Sequence, residues 1–290
     1  NHLQYDFTRP TSLYEANQRT FGQNVLPYYD IRNTDYLLSF GADYLGTWLS
    51  PVHNGLGYGY LRQGRPEGRG TCVQVESRMS LSGANADEWL PATPGSEGSL
   101  ALGIAHVIAS THYAGADQAQ WINALTTYAP SEIAQRTGLS EADIHRIAEE
   151  FFEHEASLAI AGGAATAGTD AVATHMAVNA LNYLAGNIGR RGGVIFNSAS
   201  EFVQAPSTEH ASYQQMTKLA ERMKNNEIDV LILHDTNPVF SMPSGSNFRE
   251  AIENVPLVVA LSSFMDETTA MADLILPTDS YLEAWGDDVP

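Results

Sequence analysis

The sequence of 290 residues contains a single cysteine, Cys72. One thiol cannot form a disulfide within the chain, and it cannot supply the several thiolates that an iron–sulfur cluster needs. Because Cys72 lies inside a strand-like stretch, we expect it to be a small buried apolar residue. The nine histidines show no metal-ligand spacing with one another or with the cysteine, so we predict no metal ligands in this chain.

Positive charge is also scarce, because the net charge is −19 and Lys218 and Lys224 are the only lysines. Nucleic-acid binding needs a basic surface, so the composition argues against it. The arginines gather in two places, Arg62, Arg65, Arg69 and Arg78 in the first and Arg190 and Arg191 in the second. Since guanidinium groups suit phosphate, each cluster either holds a compact anion or consists of surface arginines paired with acids.

Long apolar runs are missing, and none reaches the roughly 20 residues that a membrane helix requires. A GxGxxG turn between a strand and a helix is missing as well, which argues against a generic dinucleotide-binding domain. The hydrophobic content of 43% is enough for one large or two medium domains. The sequence starts at Asn1 and stops at Pro290 just after a strand-like run, and we expect it to be a fragment of a longer protein.

The most informative stretch runs from Thr71 to Ser110. Alternating β-branched residues at its start predict a strand that ends at Glu76, and apolar residues at helical spacing after Pro94-Gly95-Ser96 predict a helix. Ser96 suits the N-cap of that helix, with Glu97 in its first turn. In open α/β sheets an acid at the carboxyl end of a strand can hold a ribose, so Glu76 is a candidate sugar ligand. The alternative is that Glu76 pairs with Arg78 and that the helix binds nothing.

The segment GANADEWLPATPGSEGSLALGIAHVI resembles the molybdopterin oxidoreductase (dimethyl sulfoxide reductase) superfamily. In that family a strand-end acid, the AD pair, a PG turn and a long apolar helix hold a guanosine of bis(molybdopterin guanine dinucleotide). The resemblance implies an α/β fold of two doubly wound, mostly parallel sheets. It also implies cofactor contacts at Glu76, Arg78, Gly95, Ser96 and Glu97.

Three further matches cover most of the remaining chain. Gly41-Ala42-Asp43-Tyr44 resembles a loop that the family places against the pterin cofactor. The segment GNIGRRGGV, from Gly186 to Val194, resembles a glycine-rich turn of the family. Asn237-Pro238 and the stretch that begins at Glu267 resemble the part that touches the second guanosine. The resemblance therefore adds these cofactor-binding residues: Gly41, Asp43, Gly189, Arg190, Asn237, Pro238, Glu267 and Thr268. We expect Gly41, Gly189 and Asn237 to converge on one crevice, and we assign no catalytic residue.

One departure from the family concerns the metal. The family ligates molybdenum through a side chain shortly before Phe21-Gly22, but this chain has no cysteine there, and Asp6 and Ser12 do not fit the expected offset. Asp43 also replaces an amide of the family with an acceptor-only carboxylate, which is unfavourable beside a pyrophosphate. We therefore predict that the full-length protein binds no molybdenum.

The pattern along the chain predicts two domains, residues 1–205 and 206–290, and the resemblance implies that the first is a guanosine-binding-like domain and the other part of a second one. The polar stretch 197–206 marks the boundary, and the glycine-rich stretch 55–70 is interpreted as a lid or partner-contact loop. Helices are predicted over 117–128, 140–154, 170–185 and 213–225, and strands over 157–163 and 228–235.

The sequences of the matched segments are most similar to those of the large subunits of membrane-associated quinone oxidoreductase complexes, alternative complex III in particular. That resemblance implies quinol-linked respiratory electron transport with an empty cofactor site, and iron–sulfur clusters on segments outside this chain. It also implies iron–sulfur and membrane-anchor partner subunits and a periplasmic, membrane-associated location. The alternatives are a catalytic reductase of polysulfide, thiosulfate or tetrathionate, and a non-catalytic scaffold subunit.

Overall fold

The computed structural model describes residues 2–6, 8–66, 68–196, 210–280 and 282–285. The chain forms two compact units, a large unit of residues 10–198 and a small unit that combines residues 1–9 with 199–290. The first nine residues thus group with the C-terminal part of the chain rather than with the residues that follow them. The boundary predicted at 205 lies in 197–209, outside the described residues.

The core of the large unit is a four-stranded parallel sheet in the order β4-β3-β2-β5, accompanied by a short antiparallel pair of β1 with β6. The strands are β1 (Tyr28–Tyr29), β2 (Tyr36–Phe40), β3 (Thr71–Glu76), β4 (Glu88–Pro91), β5 (Ser157–Ala161) and β6 (Val194–Ile195). β2 and β5 are buried along their whole length, as expected for parallel strands covered on both faces.

Helices cover both faces of this sheet. They are α1 (Thr11–Phe21), α2 (Pro51–Gly59), α3 (Leu81–Ala84), α4 (Glu97–Thr111), α5 (Gln118–Ala124), α6 (Pro130–Thr137), α7 (Glu141–Glu153) and α8 (Ala171–Leu184). Val73 and Val75 of β3 pack in one core with Ile104 of α4, whereas Leu37 of β2 packs on the opposite face with Leu13 of α1. The alternation of β3 therefore directs successive side chains into two separate cores.

The order of the strands reverses at β2, because β3 and β4 follow on one side and β5 lies on the other. Such a reversal is where ligands bind in open α/β sheets, outside the carboxyl ends of the strands. The predicted α/β fold with mostly parallel, doubly wound sheets is confirmed.

The small unit contains a three-stranded parallel sheet in the order β7-β8-β9, with β7 (Val230–His234), β8 (Leu257–Ser262) and β9 (Leu274–Pro277). Its helices are α9 (Tyr213–Lys224), α10 (Pro238–Ser241) and α11 (Phe248–Ile252). Ser212 and Gln215 form a capping box at the start of α9. Met216 of α9 and Ile252 of α11 share one core with Leu233 and Val258, so both helices lie on the same face of the sheet.

Two predicted loops are in fact regular structure. The loop interpretation of 55–70 is wrong for 55–64, because α2 ends at Gly59 and continues as a π-helical turn over Tyr60–Gly64. Strand β4 was missed within the loop predicted after Glu76, because its four residues are too short for a readable alternation. The predicted helix over 117–128 is α5 followed by a separate 3₁₀ turn over Thr126–Tyr128.

Within the described ranges, the structure contains no helix with the length and apolar character of a membrane span.

Candidate functional site

The carboxyl end of β3 carries Glu76, which is buried and accepts hydrogen bonds from its own neighbours through both carboxylate oxygens. One carboxylate oxygen accepts a hydrogen bond from the Ser80 backbone N–H at 2.6 Å, and the other accepts from the Gln74 amide at 3.0 Å. Gly83 of α3 lies so close to this carboxylate that a methyl group there would clash with it. Glu76 therefore fixes the turn between β3 and α3, and it does not pair with Arg78, contrary to the alternative considered for it.

Asp43, in the loop after β2, is joined to the same turn. Its Oδ1 accepts hydrogen bonds from the Ser82 backbone N–H at 3.0 Å and from the Ser82 hydroxyl at 2.8 Å, while that hydroxyl accepts from the Leu45 N–H at 2.9 Å. Because both of its partners donate, an acceptor-only carboxylate suits this position. Asp43 thus connects the loops after β2 and β3, which gives a structural reason for the acid at this place.

Gly41 lies where the order of strands reverses, and it adopts a left-handed conformation with φ of 67°. A Cβ at this position would lie 2.8 Å from both the Ala165 Cβ and the Gly162 carbonyl oxygen. Only glycine allows the loops after β2 and β5 to approach so closely. At this position the family-like glycine is explained by packing between two loops.

The segment from Gly95 to Glu97 leads from β4 into α4 at the same edge of the sheet. Ser96 takes the N-cap position of α4 as predicted, but its side chain makes no capping hydrogen bond, because the hydroxyl donates backwards to the Thr93 carbonyl at 2.6 Å. Glu97 lies in the first turn as predicted and is 1% exposed, yet its Oε2 has no hydrogen-bond partner among the described residues. Gly95 is exposed, has φ of 80° and has open space around its Cα.

Glu76 and the start of α4 share the carboxyl edge, because Glu76 pairs with Pro91 in the parallel register of β3 and β4. Their side chains, however, belong to different faces of the sheet. Gln74 and Glu76 lie on the face of Cys72, whereas Val75 and α4 lie on the other. The carboxyl edge of the sheet therefore holds Glu76 and the start of α4 on different faces.

The first arginine cluster is largely neutralised by acids. Arg62 and Arg69 both bind Asp87, and Arg65 binds Asp35. Burial by itself would raise the pKa of Asp87, but the hydrogen bonds from Arg62, the Cys72 N–H and Arg69 together lower it below its ordinary value, which keeps this carboxylate charged. Arg78 differs from these three, because it is exposed after the carboxyl end of β3 and makes no ion pair with any described residue. Of the first cluster, Arg78 alone is placed to meet an anion at this edge.

The second arginine cluster lies at the opposite edge of the same sheet. Asp30 accepts a hydrogen bond from the Gly192 N–H at 2.9 Å, and Arg191 donates to the Asn33 side chain at 2.8 Å, just before β2 begins. A cleft of about 600 Å³ opens here, lined by Asn33, Asp35, Tyr60, Arg65, Glu155, Ala156, Arg190 and Arg191. Because this turn lies at the amino ends of the strands and Gly41 follows the carboxyl end of β2, the two glycines lie at opposite edges of the sheet. The expected convergence of Gly41, Gly189 and Asn237 on one crevice stays a prediction.

In the small unit, the two family-like motifs form one hydrogen-bond network at the carboxyl edge. The Asn237 amide donates to Glu267 at 2.7 Å, and its carbonyl accepts from the Thr268 hydroxyl at 2.6 Å. The Thr268 hydroxyl in turn accepts from the Val239 N–H at 3.0 Å, within the helical turn that Pro238 begins. The hydrogen bond from Asn237 lowers the pKa of Glu267. The structure therefore brings together all four residues predicted in this unit.

Three buried groups were not singled out by the sequence patterns. The Oε1 of Gln74 and the Nε1 of Trp89 have no partner among the described residues, and the two residues are register partners on the neighbouring strands β3 and β4. A glutamine inside the otherwise apolar stretch TCVQV was the available signal. His175 of α8 is also buried, which lowers its pKa to about 4. Cys72 is buried as predicted, and burial raises the pKa of its thiol to about 11.

The sequence as a whole was then compared with known proteins. The model of the molybdopterin oxidoreductase family matches residues 4–288. The chain belongs to this family. It is 30% identical over 266 residues to the menaquinone reductase molybdopterin-binding-like subunit of Nitratidesulfovibrio vulgaris, a match that covers 89% of the chain and 38% of that subunit.

A second relative is the molybdopterin-containing subunit of the arsenate respiratory reductase of a Shewanella species. It is 23% identical over 329 residues, covering 89% of this chain and 38% of that protein. The solved structure of acetylene hydratase from Pelobacter acetylenicus matches with a TM-score of 0.70 at 16% identity, covering 95% of this chain and 44% of the hydratase. This last likeness shows the fold alone. The chain spans about 38% of the length of these two curated relatives.

Proposed function

We propose that this chain is the guanosine-side part of an oxidoreductase subunit in a membrane-associated respiratory complex that exchanges electrons with quinone. The observation that carries the proposal is the 30% identity, over 89% of the chain, to a molybdopterin-binding-like subunit of a menaquinone reductase. The proposal includes iron–sulfur clusters outside this chain, iron–sulfur and membrane-anchor partner subunits, and a periplasmic location.

Several residues at the carboxyl edges fit bis(molybdopterin guanine dinucleotide), the cofactor that the family resemblance implies. A guanine edge carries N–H donors, and the buried Glu97 has a carboxylate oxygen without a partner to accept them. Arg78 offers an exposed guanidinium for a phosphate, and Gly95 offers open backbone. When bound, such a cofactor supplies oxygen-atom, sulfur-atom or electron transfer at its metal, while the protein supplies orientation and electrostatics.

The other proposed cofactor ligands fall into two groups. Asn237, Pro238, Glu267 and Thr268 form a network whose exposed member, Glu267, keeps acceptor capacity for a ribose hydroxyl. The polar groups of three residues, Asp43, Glu76 and Ser96, hydrogen-bond to other protein groups, and Gly41 allows two loops to approach each other closely. We therefore propose that these four residues stabilise the carboxyl edge and do not contact the cofactor directly. Gly189 and Arg190 lie at the amino edge, and their part in binding the cofactor is a proposal that rests on the family resemblance alone.

The metal separates the proposed function from its catalytic alternative. We propose that the whole protein holds no molybdenum, because the segment before Phe21 lacks a thiol and its nearby oxygen ligands, Asp6 and Ser12, are poorly offset. The aspartate is engaged in hydrogen bonds from the Thr8 backbone and hydroxyl, at 2.8 and 2.7 Å. The alternative, a catalytic reductase of a sulfur compound or a similar oxyanion, is favoured by the match to the arsenate respiratory reductase subunit.

The test uses the whole complex, purified without oxygen and reconstituted in vesicles. We expect electron transfer from a menaquinol analogue and less than about a tenth of an equivalent of molybdenum or tungsten per subunit by elemental analysis. Near-stoichiometric metal together with reduction of arsenate or thiosulfate would support the catalytic alternative instead. A complex without metal and without quinol-linked electron transfer would leave the scaffold subunit as the surviving explanation.

A matched pair of variants tests the assignment of the guanosine side. Extraction of the nucleotide from Glu97→Gln should recover at least ~10-fold less guanosine than from the unchanged protein, since the amide offers one acceptor fewer to the guanine donors. Glu132→Gln is the control, because Glu132 is an exposed acid in the first turn of α6. Equal recovery from both variants would contradict the assignment. The absence of guanosine from the unchanged protein would show that the cofactor site is empty.

A further inference from the structure

One face of the three-stranded sheet in the small unit is apolar and uncovered by the described residues. The face is formed by every second residue of each strand, which the parallel register places side by side. Its most open members have exposed fractions of 50% for Val230, 65% for Ile232, 40% for Leu257, 47% for Leu274 and 45% for Leu276. We refer to these five side chains as the bare face.

The opposite face of the same sheet is well covered. Leu233 and Val258 point to it and are 9% and 2% exposed, beneath α9 and α11. Parallel sheets are ordinarily covered on both faces, and a cluster of five large aliphatic side chains open to water marks an interaction surface. Alternate residues of β7 thus separate a covered face from an uncovered one within the same ordered sheet.

The connections within the small unit explain why only one face is covered. Strands β7, β8 and β9 follow one another in a single direction across the sheet. Crossovers between parallel strands are right-handed, so helices in such a progression all fall on one face. Covering the other face requires strands that continue in the opposite direction from β7, together with their own helices.

We propose that the bare face is the docking site of an amphipathic helix from polypeptide that lies outside these 290 residues in the same protein. The curated relatives have room for such a helix, because this chain spans only 38% of the menaquinone reductase subunit. The occupant presents an apolar stripe, with Leu, Ile, Val or Met at positions i, i+3, i+4 and i+7. The inference rests on family membership and on this sheet, and it does not depend on the cofactor or the metal.

Thiol labelling of the whole protein tests the proposal, with Ile232→Cys as the reporter. The control is Gln214→Cys, at an exposed position of α9. With the helix docked, we expect the thiol at 232 to react with maleimide at least ~10-fold more slowly than the thiol at 214, as read by peptide mass spectrometry. Native Cys72 contributes little to the background, because it is buried and its pKa is raised to about 11.

Two outcomes would overturn the proposal. Equal rates at 232 and 214 would mean that the face stays open in the whole protein. Protection that disappears on 100-fold dilution would identify a second copy or a separate subunit as the occupant. If Ile232→Cys fails to fold, hydroxyl-radical footprinting of the unsubstituted protein decides the matter, because Leu274 and Leu276 should then be modified at least ~10-fold less than exposed Phe240.

Discussion

The two parallel sheets of this protein differ in how they are buried. In the large unit, Ile160 of β5 is 0% exposed, and both faces of the sheet are covered by helices. In the small unit, Ile232 of β7 is 65% exposed although it also lies mid-strand in a parallel sheet. The comparison teaches that the large unit covers both faces of its sheet, whereas the described residues of the small unit cover only one face.

The largest expected effect comes from making the same substitution in both sheets. Ile160→Ala should lower the free energy of unfolding of the large unit by about 2–5 kcal/mol, because it leaves a cavity in a closed core. Ile232→Ala in this chain should change the stability of the small unit by no more than about 0.5 kcal/mol, since its side chain is already in water. Hydrogen exchange of the strand amides measures each unit separately.

Ile252→Ala is the control for that comparison, because it removes the same atoms from the covered side of the small unit, where Ile252 is 2% exposed. It should destabilise the small unit by about 2–5 kcal/mol. If Ile232→Ala matched Ile252→Ala, the sheet would not have a bare face and the comparison would fail.

The second-largest expected effect is the pH dependence that His175 of α8 gives to the stability of the large unit. Burial lowers the pKa of His175 to about 4, below the ordinary value of 6.5, so the folded state holds this side chain neutral. Between these two pH values the unfolded chain binds the proton more readily. The contribution of neutral His175 to the free energy of unfolding is therefore intact above about pH 6.5. It is lost as the pH falls toward 4, and the total loss is about 3 kcal/mol.

Replacing the imidazole with an amide should flatten this dependence. We expect His175→Gln to show a shallower decline in the stability of the large unit between pH 6.5 and 4, measured by hydrogen exchange across that range. Measurements at pH 8 serve as the internal reference, because neither protein titrates at position 175 there. An unchanged slope in the variant, or an equal loss of the slope in the small unit, would rule out His175 as the source.

The smallest expected effect compares the polar networks at the two carboxyl edges. Ser82→Ala removes the hydroxyl that donates to Asp43 and should cost the large unit about 1–2 kcal/mol. Asn237→Ala removes the exposed hydrogen bond to Glu267 and should cost the small unit about 1 kcal/mol or less. It should also raise the pKa of Glu267 toward its ordinary value, which an NMR titration of the carboxyl carbon would report. A Glu267 pKa that stays low would show that another group holds the charge.

The sequence by itself determined the family, the α/β class and most of the regular elements. β2, β3 and β5 are readable because parallel strands are continuous apolar or β-branched runs, and α1 ends at Gly22 as its left-handed cap predicts. The Asn237 and Glu267 motifs were also identified, and the structure joins them by one hydrogen bond across 30 positions. Motif spacing captured these features because each depends on a short local pattern.

Only the tertiary structure decided what the individual polar side chains do. No local pattern could show that Asp43 binds Ser82 or that Glu76 accepts hydrogen bonds from Gln74 and Ser80. Nor could a pattern show that one carboxylate oxygen of Glu97 has no partner among the described residues. These facts depend on which loops meet at the edge of the sheet.

The edge itself is also a tertiary property. The turn around Gly189 resembles a cofactor loop in its letters, but α8 carries it from the carboxyl edge to the amino edge, where Gly192 packs against Asn33. The bare face of β7 likewise cannot be read from Val230 and Ile232, because an apolar strand looks the same whether a helix covers it or not. Whether a residue is buried depends on what packs against it. The sequence of β7 alone therefore does not show whether this face is covered.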